Sequence, residues 1–456
     1  MTRLSRRKFL YAGAGAATAA GIGYFTKDYW SPRSPSPTTP SPTVLPTETP
    51  ITKPLEAAFD YSPKYKYILQ DPNQAIEFKN LTEYSENSKP ACEWGVDGVT
   101  SQNWDYSTKL SPGKHTARLK VSDGKTTDWS SEDIDVDEYG PDYPEKQLDV
   151  LIKGITFSIG QPHWGGADTI KTDEYIDECL YLIKNELQCN GIKIEGFYEN
   201  KILYAGKKAI ELGFDQIILG PRFVDATRNE TVDKIHKISQ EAEKLDSDSI
   251  VLQVGVELSL DSRIISDKAS YVERAAEIDR IVRTRNSWIG LLIDFVNELV
   301  GAAEESFHGP TIYAEAHYEK MKWNEVKTRF IGTNQWDDMW RTEHVPEALQ
   351  RLTFFGKPII VTEFGCATFA GASNYGGIAW NYTGPYNEDE QANTIEKYLK
   401  IFSNLKIHGS YLYMFYQPKP WAPEIEWSIV KTGKIQNKLQ RKKGFYMYRS
   451  YQRVGS

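Results

Sequence analysis

The chain has 456 residues, which is too long for one ordinary domain and predicts two or three modules. Hydrophobic residues make up 40% and charged residues 25%, as in soluble globular proteins. The formal net charge of −8 gives no electrostatic reason to bind nucleic acid, so we expect no nucleic-acid partner. Aromatic residues reach 12%, a surplus that is common in proteins that stack on sugar rings, although large cores also use it.

Residues 1–30 predict an export signal or anchor. A charged start precedes a short, weakly apolar Ala/Gly stretch, and the sequence Ser5-Arg6-Arg7-Lys8-Phe9-Leu10 resembles a twin-arginine signal. We therefore expect an extracytoplasmic protein, exported by the twin-arginine route and either secreted or anchored at the cell surface. Because the cleavage site at Ala17-Thr18-Ala19 is weak, retention as an uncleaved anchor stays open.

Residues 31–54 predict a linker, because they contain eight prolines in 24 positions. Such a segment cannot bury apolar surface and has few backbone donors, so we expect it to stay extended and solvated. It would serve as a stalk that tethers the following domains to a membrane or cell wall.

Residues 55–140 predict a small β-sandwich. Short alternating runs, such as His115 to Val121, are separated by Asp-Gly and Pro-Gly turn sequences. The order Phe-Asp-Tyr-Ser-Pro, Trp-x-Val-Asp-Gly and Leu-Lys-Val-Ser-Asp-Gly resembles a PKD-type, immunoglobulin-like domain, which implies a spacer or adhesion module. Trp94 and Trp104 are either core residues or platforms for sugar stacking, and for Trp94 we favour the core.

Residues 150–450 alternate between strand and helix patterns and predict a (β/α)₈ barrel. Helical repeats such as Tyr175 to Gln188 and Ala205 to Leu212 separate apolar strands. The eight strands start near Gly154, Gly191, Gln216, Ile250, Thr311, Arg329, Lys357 and Gly409. The main rival is an open doubly wound sheet, which normally carries a glycine-rich phosphate loop, and no such sequence follows any candidate strand.

Two strands of this predicted barrel end in a lone glutamate, Glu257 in Val-Gly-Val-Glu-Leu and Glu363 in Val-Thr-Glu-Phe-Gly. A carboxylate at the mouth of a buried strand is partly desolvated, so its pKa is adjustable and its position is fixed. The carboxyl ends of all barrel strands meet at one rim, so these two groups are expected to converge there. Two facing carboxylates are what glycosidic bond cleavage requires. The structural alternative for each is a salt-bridged residue at a strand end.

The placement of these glutamates after strands four and seven resembles glycoside hydrolase clan A. Within that clan, the motifs around Glu257, Ala314, Asn334 and Glu363 are most similar to family one hundred and thirteen, which contains endo-β-mannanases. The resemblance implies a catalytic acid/base at Glu257 and a nucleophile at Glu363. One position departs from the pattern, because many clan members carry Asn immediately before the acid/base and this chain has Val256.

Further candidates for substrate binding follow other strands of the predicted barrel. Asn334 and Trp336 follow strand six, where Trp336 is either a sugar platform or a core residue. His317 and Tyr318 follow strand five and could orient the nucleophile, whereas Arg222 follows strand three. Arg222 is expected either to hold Glu363 ionised or to form an ordinary surface ion pair. The remaining candidates are expected to line the cleft, and they are Trp164, Tyr416 and Trp421.

The sequence supports neither a metal site nor a cofactor site. The four cysteines and the scattered histidines lack metal-ligand spacing, and glycosidic hydrolysis by two carboxylates needs no cofactor. Cys179 and Cys189 either form a disulfide after export or stay buried thiols. A serine esterase is disfavoured because the chain has no Gly-x-Ser-x-Gly sequence.

The leading hypothesis is therefore an exported, retaining glycoside hydrolase whose partner is a carbohydrate substrate. A transglycosylase would use the same two carboxylates. The alternative from another class is a non-catalytic cell-surface protein that binds glycan through a glycosidase-like barrel.

Overall fold

The computed structural model describes residues 55–454, except 67, 69, 71–73, 85–88, 137–139, 161–170, 269, 285–287, 337–343, 375–383, 406, 417–425 and 433–437. The predicted signal and linker, together with Trp164 and Trp421, lie outside the described residues. Leu55–Ser456 form one compact unit. Within the described part of this unit, none of the helices is both long and apolar enough to cross a membrane.

Seven antiparallel strands form a small β-domain at the start of the described chain. They are β1 (Phe59–Ser62), β2 (Ala75–Asn80), β3 (Ala91–Val96), β4 (Val99–Ser101), β5 (Tyr106–Lys109), β6 (Gly113–Ser122) and β7 (Thr127–Val136). One sheet has the order β1-β2-β5 and the other β4-β3-β6-β7. Side chains from both sheets, among them Phe78, Trp94 and Leu119, share one buried cluster, so the sheets pack face to face. Trp94 is a core residue, as expected.

After β8 (Lys146–Leu148), eight parallel strands close into a barrel, which confirms the predicted barrel fold. In chain order they are β9 (Ile152–Ser158), β10 (Gly191–Gly196), β11 (Gln216–Pro221), β12 (Ile250–Val256), β13 (Thr311–Glu315), β14 (Phe330–Gln335), β15 (Ile359–Phe364) and β16 (Gly409–Leu412). Three short strands follow, namely β17 (Val430–Thr432), β18 (Leu439–Arg441) and β19 (Tyr451–Arg453). Each barrel strand begins within two residues of its expected start.

Helices lie between most of these barrel strands. They are α1 (Asp173–Asn185), α2 (Glu199–Glu211), α3 (Arg228–Glu243), α4 (Leu258–Asp261), α5 (Tyr271–Thr284), α6 (Trp288–Glu304), α7 (Val345–Thr353), α8 (Glu388–Leu405) and α9 (Lys443–Arg449). The polar sequence before two of them explains where they begin. The Thr172 side chain caps the first turn of α1, and Thr227 with Glu230 forms a reciprocal capping box at α3.

The interior of the barrel changes from apolar to polar along the strands. Near the amino ends of the strands, one buried layer contains Ile152, Ile218, Val251, Ile312, Phe330, Ile360 and Tyr411. Closer to the carboxyl ends, alternate residues are charged or polar and equally buried, among them Lys193, Glu195 and Asn334. A buried charge is costly unless it is paired, so this half of the barrel must contain compensated charges.

The β-domain packs directly against the barrel. Tyr65 and Ile68, which lie between β1 and β2, belong to the same buried cluster as the barrel strands and helices. The Ile68 backbone N–H donates to Glu178 Oε1 at 3.0 Å, and the Tyr65 hydroxyl donates to Glu186. Arg441 neutralises Glu186 from the other side, with Nη2 and Oε2 3.0 Å apart. The β-domain is thus fixed to the barrel by buried apolar and polar contacts.

All four cysteines are free in the structure. Cys179 and Cys189 are buried thiols rather than a disulfide, and burial raises the pKa of the Cys189 thiol to about 11. A thiol that stays protonated at neutral pH is a poor nucleophile, which fits a packing role for this residue.

Candidate active site

The two predicted catalytic glutamates lie at the carboxyl ends of barrel strands. Glu257 directly follows β12, and Glu363 is the fifth residue of β15. Glu257 has a left-handed backbone with φ of 42°, which is uncommon for a residue other than glycine. Its N–H donates to the Ala314 carbonyl at 2.9 Å, and α4 begins at the next residue. The hydrogen bond to Ala314 and the start of α4 therefore fix the backbone conformation of Glu257.

Asn334 lies next to both glutamates. Its Nδ2 donates to Glu257 Oε1 at 3.0 Å, and its Oδ1 accepts from the Thr362 hydroxyl at 2.7 Å. In the β14–β15 register, the residue opposite Asn334 is Glu363 itself. The negative charge of Glu257 also raises the pKa of Glu363, so the two groups interact. The barrel thus brings together two glutamates separated by more than a hundred positions in the sequence.

Lys193 is the direct partner of Glu363. The Lys193 Nζ donates to Glu363 Oε1 at 2.6 Å, and Trp336 Nε1 donates to Oε2 at 3.2 Å. Both carboxylate oxygens of Glu363 therefore accept a hydrogen bond. The side chain of Lys193 is fully buried. Burial raises the pKa of Glu363 to about 7, while the lysine charge opposes this rise and favours the carboxylate.

A buried charge network surrounds this pair. Lys193 Nζ also lies 3.2 Å from Glu195 Oε2, and Arg222 lies 3.9 Å from the same oxygen. Arg222 Nε pairs with Asp261 Oδ2 at 3.0 Å. Burial raises the pKa of Asp261 to about 6, and Arg222 opposes this rise. Both cations thus have carboxylate partners, as buried charges require.

The direct partners of the two glutamates differ. Glu363 pairs with the Lys193 ammonium, whereas Glu257 accepts a hydrogen bond from the Asn334 amide. Burial raises the pKa of both carboxyl groups. The buried Glu319 carboxyl, whose pKa burial raises to about 7, also interacts with Glu257. Several buried carboxyl groups this close together favour the retention of a proton among them.

Partly exposed aromatic side chains lie beside the carboxyl groups. Tyr271 and Tyr318 are close enough to Glu257 for its charge to raise the pKa of both phenols. Tyr413 packs edge-on against Trp336, with ring centres 5.3 Å apart. Glu257 is itself partly exposed, whereas Glu363 is 6% exposed. Glu257 is thus accessible to a ligand, and aromatic and hydroxyl surfaces lie beside it.

The other predicted site residues occupy several different places. Trp336 is 9% exposed and donates to Glu363, so it is a hydrogen-bond partner of the nucleophile candidate instead of an open platform. Tyr318 bonds to Ser259 Oγ at 2.9 Å and packs against His317, on the side of Glu257. Tyr416 contacts Tyr175, with ring centres 6.4 Å apart.

Arg222 acts on Glu363 without pairing with it. It is buried, so it is not in the surface ion pair that was the second expectation, and its direct partner is Asp261. The salt bridge to Glu363 is made by Lys193 on the neighbouring strand instead. Arg222 still favours the ionised form of Glu363 through its charge.

Sequence reasoning missed Lys193, Glu195 and Asp261. The first two carried a readable signal, because Gly-Ile-Lys-Ile-Glu-Gly places charges at alternate positions of an apolar strand. Alternate residues of a barrel strand point into the barrel, where a charge needs a partner. Asp261 carried no such signal, since its role depends on the short helix α4 after Glu257.

Replacing Lys193 with methionine should move the acidic limb of the pH–rate profile to higher pH. The lysine charge lowers the pKa of Glu363, so its loss raises that pKa and protonates the carboxylate over a wider range below neutrality. We expect a shift of about one pH unit or more in kcat/KM. Lys208→Met, on an exposed helical turn, is the matched control. An unchanged acidic limb would show that Lys193 does not control the ionisation of Glu363.

Comparisons with known proteins match solved structures only at low identity. No family model matches the chain, and no curated protein matches it. One similar structure is a GH113 β-1,4-mannanase, at 15% identity and a TM-score of 0.46, covering 66% of this chain and 98% of that chain. The GH113 β-mannanase AaManA from Alicyclobacillus acidocaldarius shares 16% identity at a TM-score of 0.43, covering 66% and 96% of the two chains. The β-glucuronidase from Parabacteroides merdae shares 13% identity at a TM-score of 0.44, covering 87% and 52%.

Proposed function

We propose that this chain is a retaining glycoside hydrolase that cleaves β-linked polysaccharides or oligosaccharides. The observation that carries the proposal is the asymmetric pair at one end of the barrel. Glu363 is held by a buried lysine, whereas Glu257 is held by an amide and is partly exposed. One carboxyl group is thus prepared to act as a nucleophile and the other as an acid.

In the first step, a Glu363 oxygen attacks the anomeric carbon while the proton of Glu257 passes to the departing glycosidic oxygen. The C–O bond to the leaving sugar breaks, and an ester between Glu363 and the retained sugar forms. In the second step, Glu257, now ionised, takes a proton from water, and the water oxygen displaces Glu363. Both substitutions invert the anomeric carbon, so the net result is retention.

The proposal takes double displacement rather than single-step inversion. Retaining enzymes hold their carboxyl groups about 5–5.5 Å apart, whereas inverting enzymes need about 6.5–9.5 Å to admit a water molecule. Asn334 bonds to Glu257 and lies opposite Glu363 in the strand register, so the two glutamates are neighbours, and we propose the shorter separation. Its contact with the acid also gives this chain an amide beside Glu257 although Val256 replaces the usual Asn.

The expected cellular setting is part of the proposal. The sequence at the amino terminus supports export by the twin-arginine route, followed by a proline-rich stalk and a PKD-like domain. The motifs around both glutamates resemble family one hundred and thirteen, so β-mannan is the first substrate to test.

The proposal is tested by measuring the release of reducing ends from β-mannan, β-glucan and related polymers. We expect the wild type to cleave at least one polymer and Glu363→Gln to cleave none. If the wild type binds a polymer of the panel but releases no reducing ends from any of them, the chain is a glycan-binding protein instead. Transfer of the released sugar to an added acceptor in preference to water would identify a transglycosylase.

A further inference from the structure

The outer face of the larger sheet in the β-domain carries exposed aromatic side chains. In the order β4-β3-β6-β7, side chains alternate between the buried core and this outer face. Trp129 on β7 is 59% exposed, and Trp104 shortly after β4 is partly exposed. By contrast, Trp94 on β3 is fully buried in the core. Trp129 is thus exposed and Trp104 partly exposed, whereas the apolar core of the same domain buries Trp94.

Both tryptophans have polar neighbours that keep them at the surface. Lys89 Nζ lies 4.5 Å from the ring centre of Trp104, and the Tyr84 ring meets the same indole edge-on at 5.2 Å. Lys120 Nζ lies 5.1 Å from the ring centre of Trp129. Cations over aromatic faces stabilise the rings in place without covering them with apolar groups.

A shallow groove of about 370 Å³ lies beside Trp104. Its lining includes the indole of Trp104 and the hydrogen-bonding side chains of Lys89, Glu93, Gln102 and Lys120. Lys120 lies opposite both Glu93 and Trp129 in the strand register, so the groove continues towards the second indole. β4 and β7 are three strand spacings apart, roughly 14 Å, which is enough for several sugar rings.

We propose that this outer face is a second binding site, and that its ligand is a neutral β-linked polysaccharide. Sugar rings present C–H faces to aromatic rings and hydroxyl groups to the surrounding polar side chains, and the groove offers both. Single-stranded nucleic acid also stacks on aromatic rings but needs a positive groove along its phosphates. Glu93 lies among the lysines of this groove, and the whole chain has a net charge of −8, so a neutral chain fits better.

The position of the face leaves it open to a long polymer. The opposite end of β7 approaches the barrel, where Asp135 and Lys438 form an ion pair of 3.3 Å. Trp129 lies six residues earlier on the same strand, roughly 20 Å away along its axis. A polymer held there remains close to the barrel, which raises its effective concentration at the catalytic cleft. The identity of the polymer rests on the proposed function, whereas the existence of the site does not.

The test measures adsorption to insoluble β-1,4-mannan and to cellulose in the Glu363→Gln background, which prevents cleavage. We expect Trp104→Ala and Trp129→Ala each to weaken adsorption about tenfold, and the double variant to lose it. Phe354→Ala removes an aromatic ring that is 86% exposed on the barrel, and it is the control that should adsorb normally. Unfolding midpoints check that each variant is folded, and Trp129→Ala alone suffices if the other does not fold.

In the active background, the double variant should lose activity on the insoluble polymer but cleave short soluble oligosaccharides at the wild-type rate. Three results would each overturn this proposal. The double variant could adsorb as well as the parent, the parent could adsorb to neither polymer, or the protein could bind an oligonucleotide in place of glycan. Hydrolysis without adsorption would leave the proposed function standing. Adsorption without hydrolysis would leave this second site standing and remove the proposed function.

Discussion

Glu363→Gln should lower kcat on a cleaved polysaccharide by on the order of 10⁴-fold or more, because the amide cannot form the glycosyl ester. The substitution keeps the size of the side chain and its contact with Trp336. Lys193 retains a buried carboxylate partner in Glu195, so the fold should survive. The measurement is the rate of reducing-end release under saturating substrate.

The matched control for this variant is Glu347→Gln, which alters an exposed carboxylate on α7 paired with Arg351. It should retain the wild-type rate. Binding of an oligosaccharide to Glu363→Gln, measured by calorimetry, should also be retained, since the nucleophile acts on bound substrate. If Glu363→Gln keeps more than a tenth of the wild-type rate, Glu363 is a structural residue at a strand end.

Glu257→Gln should show a loss that depends on the leaving group. With unactivated glycosides, protonation of the leaving oxygen is required, and we expect a loss of about 10²–10⁴-fold. With dinitrophenyl glycosides, whose leaving group departs without a proton, formation of the glycosyl ester should stay near the wild-type rate. The slow second step then limits turnover, because the base that activates water is missing.

Azide provides the control for this second variant. As an anionic nucleophile it needs no base, so it should restore turnover of Glu257→Gln and yield a β-glycosyl azide. Azide should not increase the turnover of the wild-type protein. An equal loss for activated and unactivated substrates, without rescue, would show that Glu257 does not act as the acid/base.

The eight barrel strands and both glutamates were predictable because each feature is local in the sequence. The run Ile-Val-Leu-Gln-Val-Gly-Val has strong strand propensity and is followed directly by a charged residue. Glu257 can therefore be predicted from the sequence alone. The closed barrel then follows from repeated strand–helix alternation, and it brings Glu363 to the same rim.

The inward charges of β10 could be recognised in the sequence, but their pairing could not, because it depends on which strands are neighbours and how far side chains reach. Only Arg222 was considered from the sequence as a cation for Glu363, whereas the structure pairs Lys193 with it. The observed choice follows from the inward direction of Lys193 on β10 and the position of Asp261 on α4. The packing of Ile68 into the barrel is likewise a contact between distant segments, and no periodic pattern indicates it.

Identification of the covalently labelled residue tests the central claim most directly. The protein is incubated with activated 2-deoxy-2-fluoro-β-glycosides of the gluco, manno and galacto series, which slow the second step so that the ester accumulates. Peptide mass spectrometry should find one sugar on Glu363, and Glu257→Gln should be labelled at the same position. A label on another residue, or hydrolysis of the parent glycosides with inversion and no label, would contradict a double displacement by Glu257 and Glu363.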